Sequence, residues 1–235
     1  MLISLLIQVF YFNKQEIVSP TVYDQVNSTC ASGYAFATAA AVESLMYKIF
    51  NNLIPLSAQQ LVDCSKETDN NGCSGGNSLN TLHYLMNRGA MKNSEYPYVG
   101  KTGDCKYTAA KKIFEVENCV KVDQDLVMLK SQIFNQPVIV GFDTSDSKFS
   151  QFGGGLYEPP SKCGDKINHY MLAVGWGEVT QGTFINKKTY YYYIIVKNSL
   201  GMKWGENGFG KIVMQIDKGA TNGCGLLKDM YFPYG

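Results

Sequence analysis

Cys30-Ala31-Ser32-Gly33-Tyr34-Ala35-Phe36-Ala37 is the stretch on which the reading of the fold turns. Before it, Pro20 to Ser32 is polar and rich in turn residues. After it, Phe36, Ala40, Val42, Leu45, Met46 and Ile49 recur near helical spacing, and the alanine run favours a helix from about Tyr34 to Phe50, ended by Asn51-Asn52. Ser57 with Gln60 three residues on marks the start of a second, short helix. Asp69 to Gly76 (DNNGCSGG) reads as loop, and a third helix covers Ser78 to Arg88 and stops at Gly89. Beyond a helix near Asp125–Asn135 the pattern changes to short β-rich runs at Val138–Phe142, His169–Val174, Tyr190–Lys197 and Phe209–Gln215. Glycine clusters at Gly153–Gly155, Gly175–Gly177 and Gly205–Gly210 separate them, and Tyr190–Tyr193 reads as a buried strand. Helices first and strands later indicate an α+β protein of two lobes.

The composition narrows the partners. A chain of 235 residues with 45% hydrophobic and 13% aromatic residues has enough apolar material for a real core. Its formal charge of +1, with no block of five or more like charges, gives no reason to expect nucleic acid or an anionic membrane as partner. The seven cysteines include no Cys-x-x-Cys spacing, so no metal site and no cofactor is expected. Six of them can pair with one left over, which suggests disulfides and an oxidising compartment; reduced buried thiols are the alternative. Met1–Phe12 is nearly all apolar yet too short to span a bilayer. Without a positive start or a small-residue cleavage site, it is expected to stay as an edge strand or docking segment, with a retained signal anchor as the alternative.

Five segments, in order, then carry a resemblance. The opening stretch resembles the nucleophile segment of the papain/cathepsin-type cysteine proteases, in which the place of Gly33 is taken by cysteine. Leu56-Ser57-Ala58-Gln59-Gln60-Leu61-Val62-Asp63-Cys64 and Gly72-Cys73-Ser74-Gly75-Gly76 are similar to two further motifs of that family. Ile167-Asn168-His169 with Leu172-Ala173-Val174-Gly175-Trp176-Gly177 resembles its histidine strand. Val196-Lys197-Asn198-Ser199 with Trp204-Gly205-Glu206-Asn207-Gly208-Phe209 resembles its asparagine motif.

The resemblance implies a papain-like two-lobe fold over residues 13–235, after an N-terminal segment at 1–12. A helical lobe at about 21–117 and an antiparallel β-barrel-like lobe at about 118–225 would flank a cleft, with the termini crossing between lobes. It implies the pairs Cys30–Cys73, Cys64–Cys105 and Cys163–Cys224, with Cys119 a free thiol. It assigns His169 as base, Asn198 as the group orienting it, Gln25 as the oxyanion amide donor, and Gly75, Gly76, Tyr170 and Asp229 to the substrate cleft.

The departures from the pattern matter most. Glycine has no side chain, so no thiolate and no acyl-enzyme can form at Gly33. Gln25 lies eight residues before Gly33 where the family has six. Leu200 replaces a tryptophan that shields the histidine–asparagine bond, and Tyr170 replaces a small residue, so its ring is expected to protrude into the pocket for the substrate's second side chain. Asn27-Ser28-Thr29 in the lengthened loop is a glycosylation sequon. Ser32 precedes the helix start and would point away from the histidine. The family's helical inhibitory prosegment is not represented ahead of the domain, which separate processing would explain and which would also suit a protein that cuts no peptides.

The expectation is therefore a catalytically inactive homologue serving as a structural or binding subunit. Its partner would be a protein, within a larger complex docked by Met1–Phe12, in a secretory, lysosome-like or extracellular compartment; membrane contact is left open. The alternatives are a cysteine endopeptidase whose nucleophile is replaced in this chain, or a peptide-binding receptor using the retained cleft.

Overall fold

The computed structural model describes residues 7–11, 29–160, 163–164, 166–181, 189–216, 219–220 and 223–235. Three helices come first. α1 (Gly33–Phe50) is buried from Gly33 to Met46, and left-handed Asn51 ends it by donating its N–H to the Tyr47 carbonyl. α2 (Ala58–Cys64) is capped by Ser57, whose hydroxyl accepts from the Gln60 N–H at 2.9 Å. The Gln60 side chain does not reach back. It bridges Tyr84, the Gly89 carbonyl and the Met91 N–H, and so ties α2 to the end of α3 (Ser78–Arg88).

The remainder is a largely antiparallel sheet. β1 (Ile7–Tyr11), β2 (Asn118–Lys121), β3 (Val138–Phe142), β4 (Leu156–Tyr157), β5 (His169–Gln181), β6 (Thr189–Lys197), β7 (Phe209–Ile216), β8 (Gly219–Ala220) and β9 (Met230–Tyr234) form one sheet. Its main path runs β2-β9-β3-β5-β6-β7-β4, with β1 on β5 and β8 on β7; β4 and β7 are parallel. Two helices, α4 (Leu126–Asn135) and α5 (Ser147–Ser150), complete this half. Residues 7–11 of the apolar N-terminal segment are thus a strand of the sheet, Tyr11 opposite Gly175 and Ile7 opposite Val179.

Strand periodicity divides the core in two. Ile139, Tyr170, Leu172, Val174 and Ile195 face one way and pack with α1, α2 and α3. Val138, Val140, Phe142, Met171, Ala173, Ile194 and Val196 face the other and pack with α4, Trp204 and Ile212. α1 is apolar around most of its circumference because it lies inside the protein, against the sheet and the other helices.

Two strand expectations need correction. The glycines at Gly175 and Gly177 do not end β5, which continues to Gln181 past a bulge between Ala173 and Gly175. Gly177 pairs with Tyr193, whose ring covers it: a Cβ there would lie 2.7 Å from Tyr193 Cζ. The tyrosine run in β6 is also not buried throughout. Tyr193 is buried but Tyr190 is half exposed.

Three disulfides brace the fold: Cys30–Cys73, Cys64–Cys105 and Cys163–Cys224. They close loops of 43, 41 and 61 residues, each worth about 4 kcal/mol by chain entropy. Cys119 in β2 forms no disulfide and is half-buried; burial pushes its thiol pKa up.

Candidate active site

Gly33 is the first residue of α1, where the unpaired N–H groups and the helix dipole concentrate positive potential. The Cys30–Cys73 bridge fixes this end of the helix against the loop at Gly72–Gly76, and the Ala31 N–H donates to the Cys73 carbonyl at 3.0 Å. Ser32 is buried with its hydroxyl 2.7 Å from that of Tyr98, turned into the helical lobe. What faces Gly33 is His169. A Cβ built on Gly33 would lie 2.6 Å from His169 Cε1 and nearer still to Nδ1, so the imidazole occupies the volume a side chain would need.

His169 begins β5, opposite Phe142 of β3. Its Nε2 lies 2.8 Å from Asn198 Oδ1. An amide oxygen only accepts, so Nε2 carries the proton and Nδ1 is left as the acceptor facing Gly33. Burial pulls the His169 pKa below its usual 6.5, and the Asn198 bond offsets this only in part. Burial thus favours the neutral ring. Phe149 meets it edge-on at 6.2 Å, and Phe149 is held in turn by Trp204, whose Nε1 donates to the Phe149 carbonyl at 2.7 Å.

Asn198 follows β6 and is fixed by its N–H bond to the Gly208 carbonyl. Its Oδ1 also accepts from the Ser199 N–H at 2.8 Å, whereas its buried Nδ2 has no hydrogen-bond partner. An orphaned amide of this kind costs about 1–3 kcal/mol. Leu200, where the family pattern has tryptophan, is only partly buried against the outer core.

The cleft in front of these groups is small. Ala31, Gly33, Tyr34, Gly75, Gly76, Asn168, His169 and Tyr170 enclose about 50 Å³. Gly75, at φ +114°, has open space where a Cβ would stand, so its backbone is a bare edge of the cleft. Tyr170 is buried, and its hydroxyl accepts from Asn77 Nδ2 at 2.9 Å and donates to Asp229 Oδ2 at 2.6 Å. Asp229, assigned to the cleft by the resemblance, holds the Tyr170 hydroxyl through Oδ2, and its other oxygen accepts from the Tyr231 hydroxyl at 2.6 Å. Gln25 and Asn27 lie outside the described residues.

Sequence reasoning gave no role to Glu43 or Lys197. Both are buried, and they line a cavity of about 20 Å³ between α1 and the sheet, which Asn198 also lines. Burial raises the Glu43 pKa to about 7 despite the opposing pull of Lys197, and lowers that of Lys197 despite Glu43. The Glu43 carboxyl accepts from the Leu56 N–H at 2.8 Å. A lone glutamate in an alanine-rich helix gives no local sign of this pairing. Among the described residues no group of three or more His, Cys, Asp or Glu could hold a metal ion, and no helix is long and apolar enough to cross a membrane.

Comparison with known proteins gives a consistent answer. The model of the papain family cysteine protease matches residues 11–234. Mouse cathepsin R is 34% identical over 206 residues, 87% of this chain and 59% of its own length. Mouse pro-cathepsin H is 33% identical over 225 residues, covering 94% and 62%. The chain thus spans about three fifths of the length of these curated relatives. Among solved structures, procathepsin L 3 of the Tenebrio molitor larval midgut superposes with a TM-score of 0.80 at 30% identity, covering 94% of this chain and 68% of that one. The Carica candamarcensis cysteine protease CMS1MS2, solved in complex with E-64, gives a TM-score of 0.80 at 30% identity, covering 96% and 97%.

Proposed function

This chain belongs to the papain family of cysteine proteases, and on that premise we propose that it is a member without peptide-bond cleavage, acting as a structural or binding subunit of a protein assembly. One observation carries the reading: at the N-terminus of α1, where a thiolate would be stabilised, there is a glycine with the His169 imidazole drawn against it. Covalent catalysis needs a nucleophile beside its base, and among the described residues the one facing His169 Nδ1 is a glycine. The lowered His169 pKa agrees, because a thiolate would favour the imidazolium and no anion faces Nδ1. Ser32 is no substitute, since its hydroxyl is engaged with Tyr98.

The His169–Asn198 bond and the cleft walls then serve the fold, and what the protein offers a partner is its disulfide-braced surface. The disulfides and the cathepsin relatives suggest an oxidising secretory or lysosomal lumen. The test is to purify the native protein from its source and incubate it with a fluorogenic dipeptidyl amide and a thiol-directed epoxide. The expected result is no turnover, no labelling, and elution as a stoichiometric complex with another protein. Turnover that the epoxide abolishes would overturn the reading.

A further inference from the structure

The cleft contains a side chain of the protein itself. Tyr170 lines it beside Gly33, Gly76 and His169, and on its other side lies against the α1 face at Phe36, Ala37 and Ala40. Its hydroxyl is fully engaged, accepting from Asn77 and donating to Asp229. These partners belong to different elements, one at the start of α3 and one leading into β9 of the sheet. Asn77 is the N-cap of α3 and accepts from the Leu79 N–H through its Oδ1, while its own N–H donates to Asn70 Oδ1 at 2.7 Å. Asp229 precedes β9, accepts from Tyr231, and receives the Gly141 N–H on its backbone carbonyl at 2.8 Å. A single polar chain therefore runs Asn70–Asn77–Tyr170–Asp229–Tyr231 across the cleft.

We propose that Tyr170 is an intramolecular ligand of the cleft, its phenol filling in cis the place a bound peptide's side chain would take and bolting the two lobes together. The proposal rests on the non-hydrolytic reading above and deepens it, because it states what the cleft holds in place of substrate. The site beneath the ring has apolar walls and ends in an amide donor and a carboxylate acceptor. Its chemistry matches a phenol: an apolar ring whose hydroxyl both accepts and donates. A segment from a partner can then cross the cleft only along the bare backbone edge at Gly75, with no side chain directed at Tyr170.

The test uses Tyr170→Ala in the full chain, with p-cresol (the excised side chain) and toluene (the same ring without hydroxyl) as probes. p-Cresol is expected to raise the melting midpoint of Y170A and to bind at least about tenfold more tightly than toluene, while leaving the native protein unaffected. An equal response from the native protein would overturn the proposal, since the cleft would then be open beside Tyr170. Equal binding of p-cresol and toluene to Y170A would also overturn it, since Asn77 and Asp229 would not be reading the hydroxyl. If Y170A fails to form its disulfides, Tyr170→Phe decides. Loss of the bolt should reduce amide exchange protection together at Leu79 and Asn80 in one lobe and at Gly141 in the other, and unchanged protection in either lobe refutes it. None of these readouts involves turnover, so their failure is separable from a failure of the non-hydrolytic reading.

Discussion

Gly33→Cys asks whether a single lost atom group separates this chain from an active protease. The added Cβ would lie 2.6 Å from His169 Cε1 and nearer still to Nδ1, so the imidazole has to retreat by about 1 Å or more to reach ordinary contact. The ring cannot do so freely. Nε2 is held by Asn198 at 2.8 Å, and Phe149 stands edge-on beside it. The clash and the weakened bond should cost about 1–3 kcal/mol, the range of an overpacked core position. Gly33→Ala, which brings the same Cβ without sulfur, should lose a similar amount in urea unfolding. Catalysis is penalised further. A base displaced by about 1 Å costs about 10² in rate. The kcat/KM of G33C on a fluorogenic dipeptidyl amide should therefore fall about 10²-fold or more below that of an intact relative assayed beside it. A value within about tenfold of the relative would refute the claim that the site has diverged beyond its nucleophile.

Further outcomes can be measured. Glu43, with a folded pKa of about 7 and an unfolded value near 4.5, retains a proton that the unfolded chain has released, so its contribution is full below pH 4.5 and lost as pH rises to 7. Glu43→Gln should abolish that decline, as read by urea midpoints at the two pH values; an unchanged profile would contradict the assignment. His169 acts in the opposite sense: its folded pKa is below 6.5, so it erodes stability as pH falls beneath 6.5. Its imidazole resonances should titrate below 6.5 in the native protein and lower still in Asn198→Ala, which removes the bond opposing the shift; an upward movement would show the bond acting otherwise. Replacing both Cys30 and Cys73 by alanine should cost about 4 kcal/mol and release the end of α1 from the Gly72–Gly76 loop, detectable as lost amide protection at Ala31.

Local chemistry made much of this protein legible. Helix ends declare themselves through residues that satisfy orphaned backbone groups, by the side chain at Ser57 and by the backbone N–H at Asn51 and Gly89, and α3 begins and ends where the sequence indicates. The order of motifs located His169 and Asn198, and the structure brings these two together with Gly33. What stayed hidden depends on pairing across distance. Gly175 and Gly177 read as a break between strands because their release of backbone restraint is visible, whereas the Tyr193 ring that covers Gly177 lies on another strand. Tyr170 was legible as a bulky intruder, but its two partners lie 93 and 59 residues away, and nothing local predicts a bond to both. Glu43 and Lys197 were silent for the same reason, since their shared burial exists only after α1 has packed on the sheet.

The pairing of Ile7–Tyr11 with β5 bears on how the protein behaves when shortened. β3 covers β5 only from His169 to Ala173, and β1 takes over from Gly175 to Val179. A chain beginning after Tyr11 would leave that second stretch of strand with its N–H and C=O groups unmatched. Open edges of this kind recruit other strands, and the nearest supply in a concentrated sample is another copy of the same edge. Such a truncation should gather into dimers or larger species that a synthetic Ile7–Tyr11 peptide disperses, which makes these five residues a guard against self-association as well as a part of the sheet.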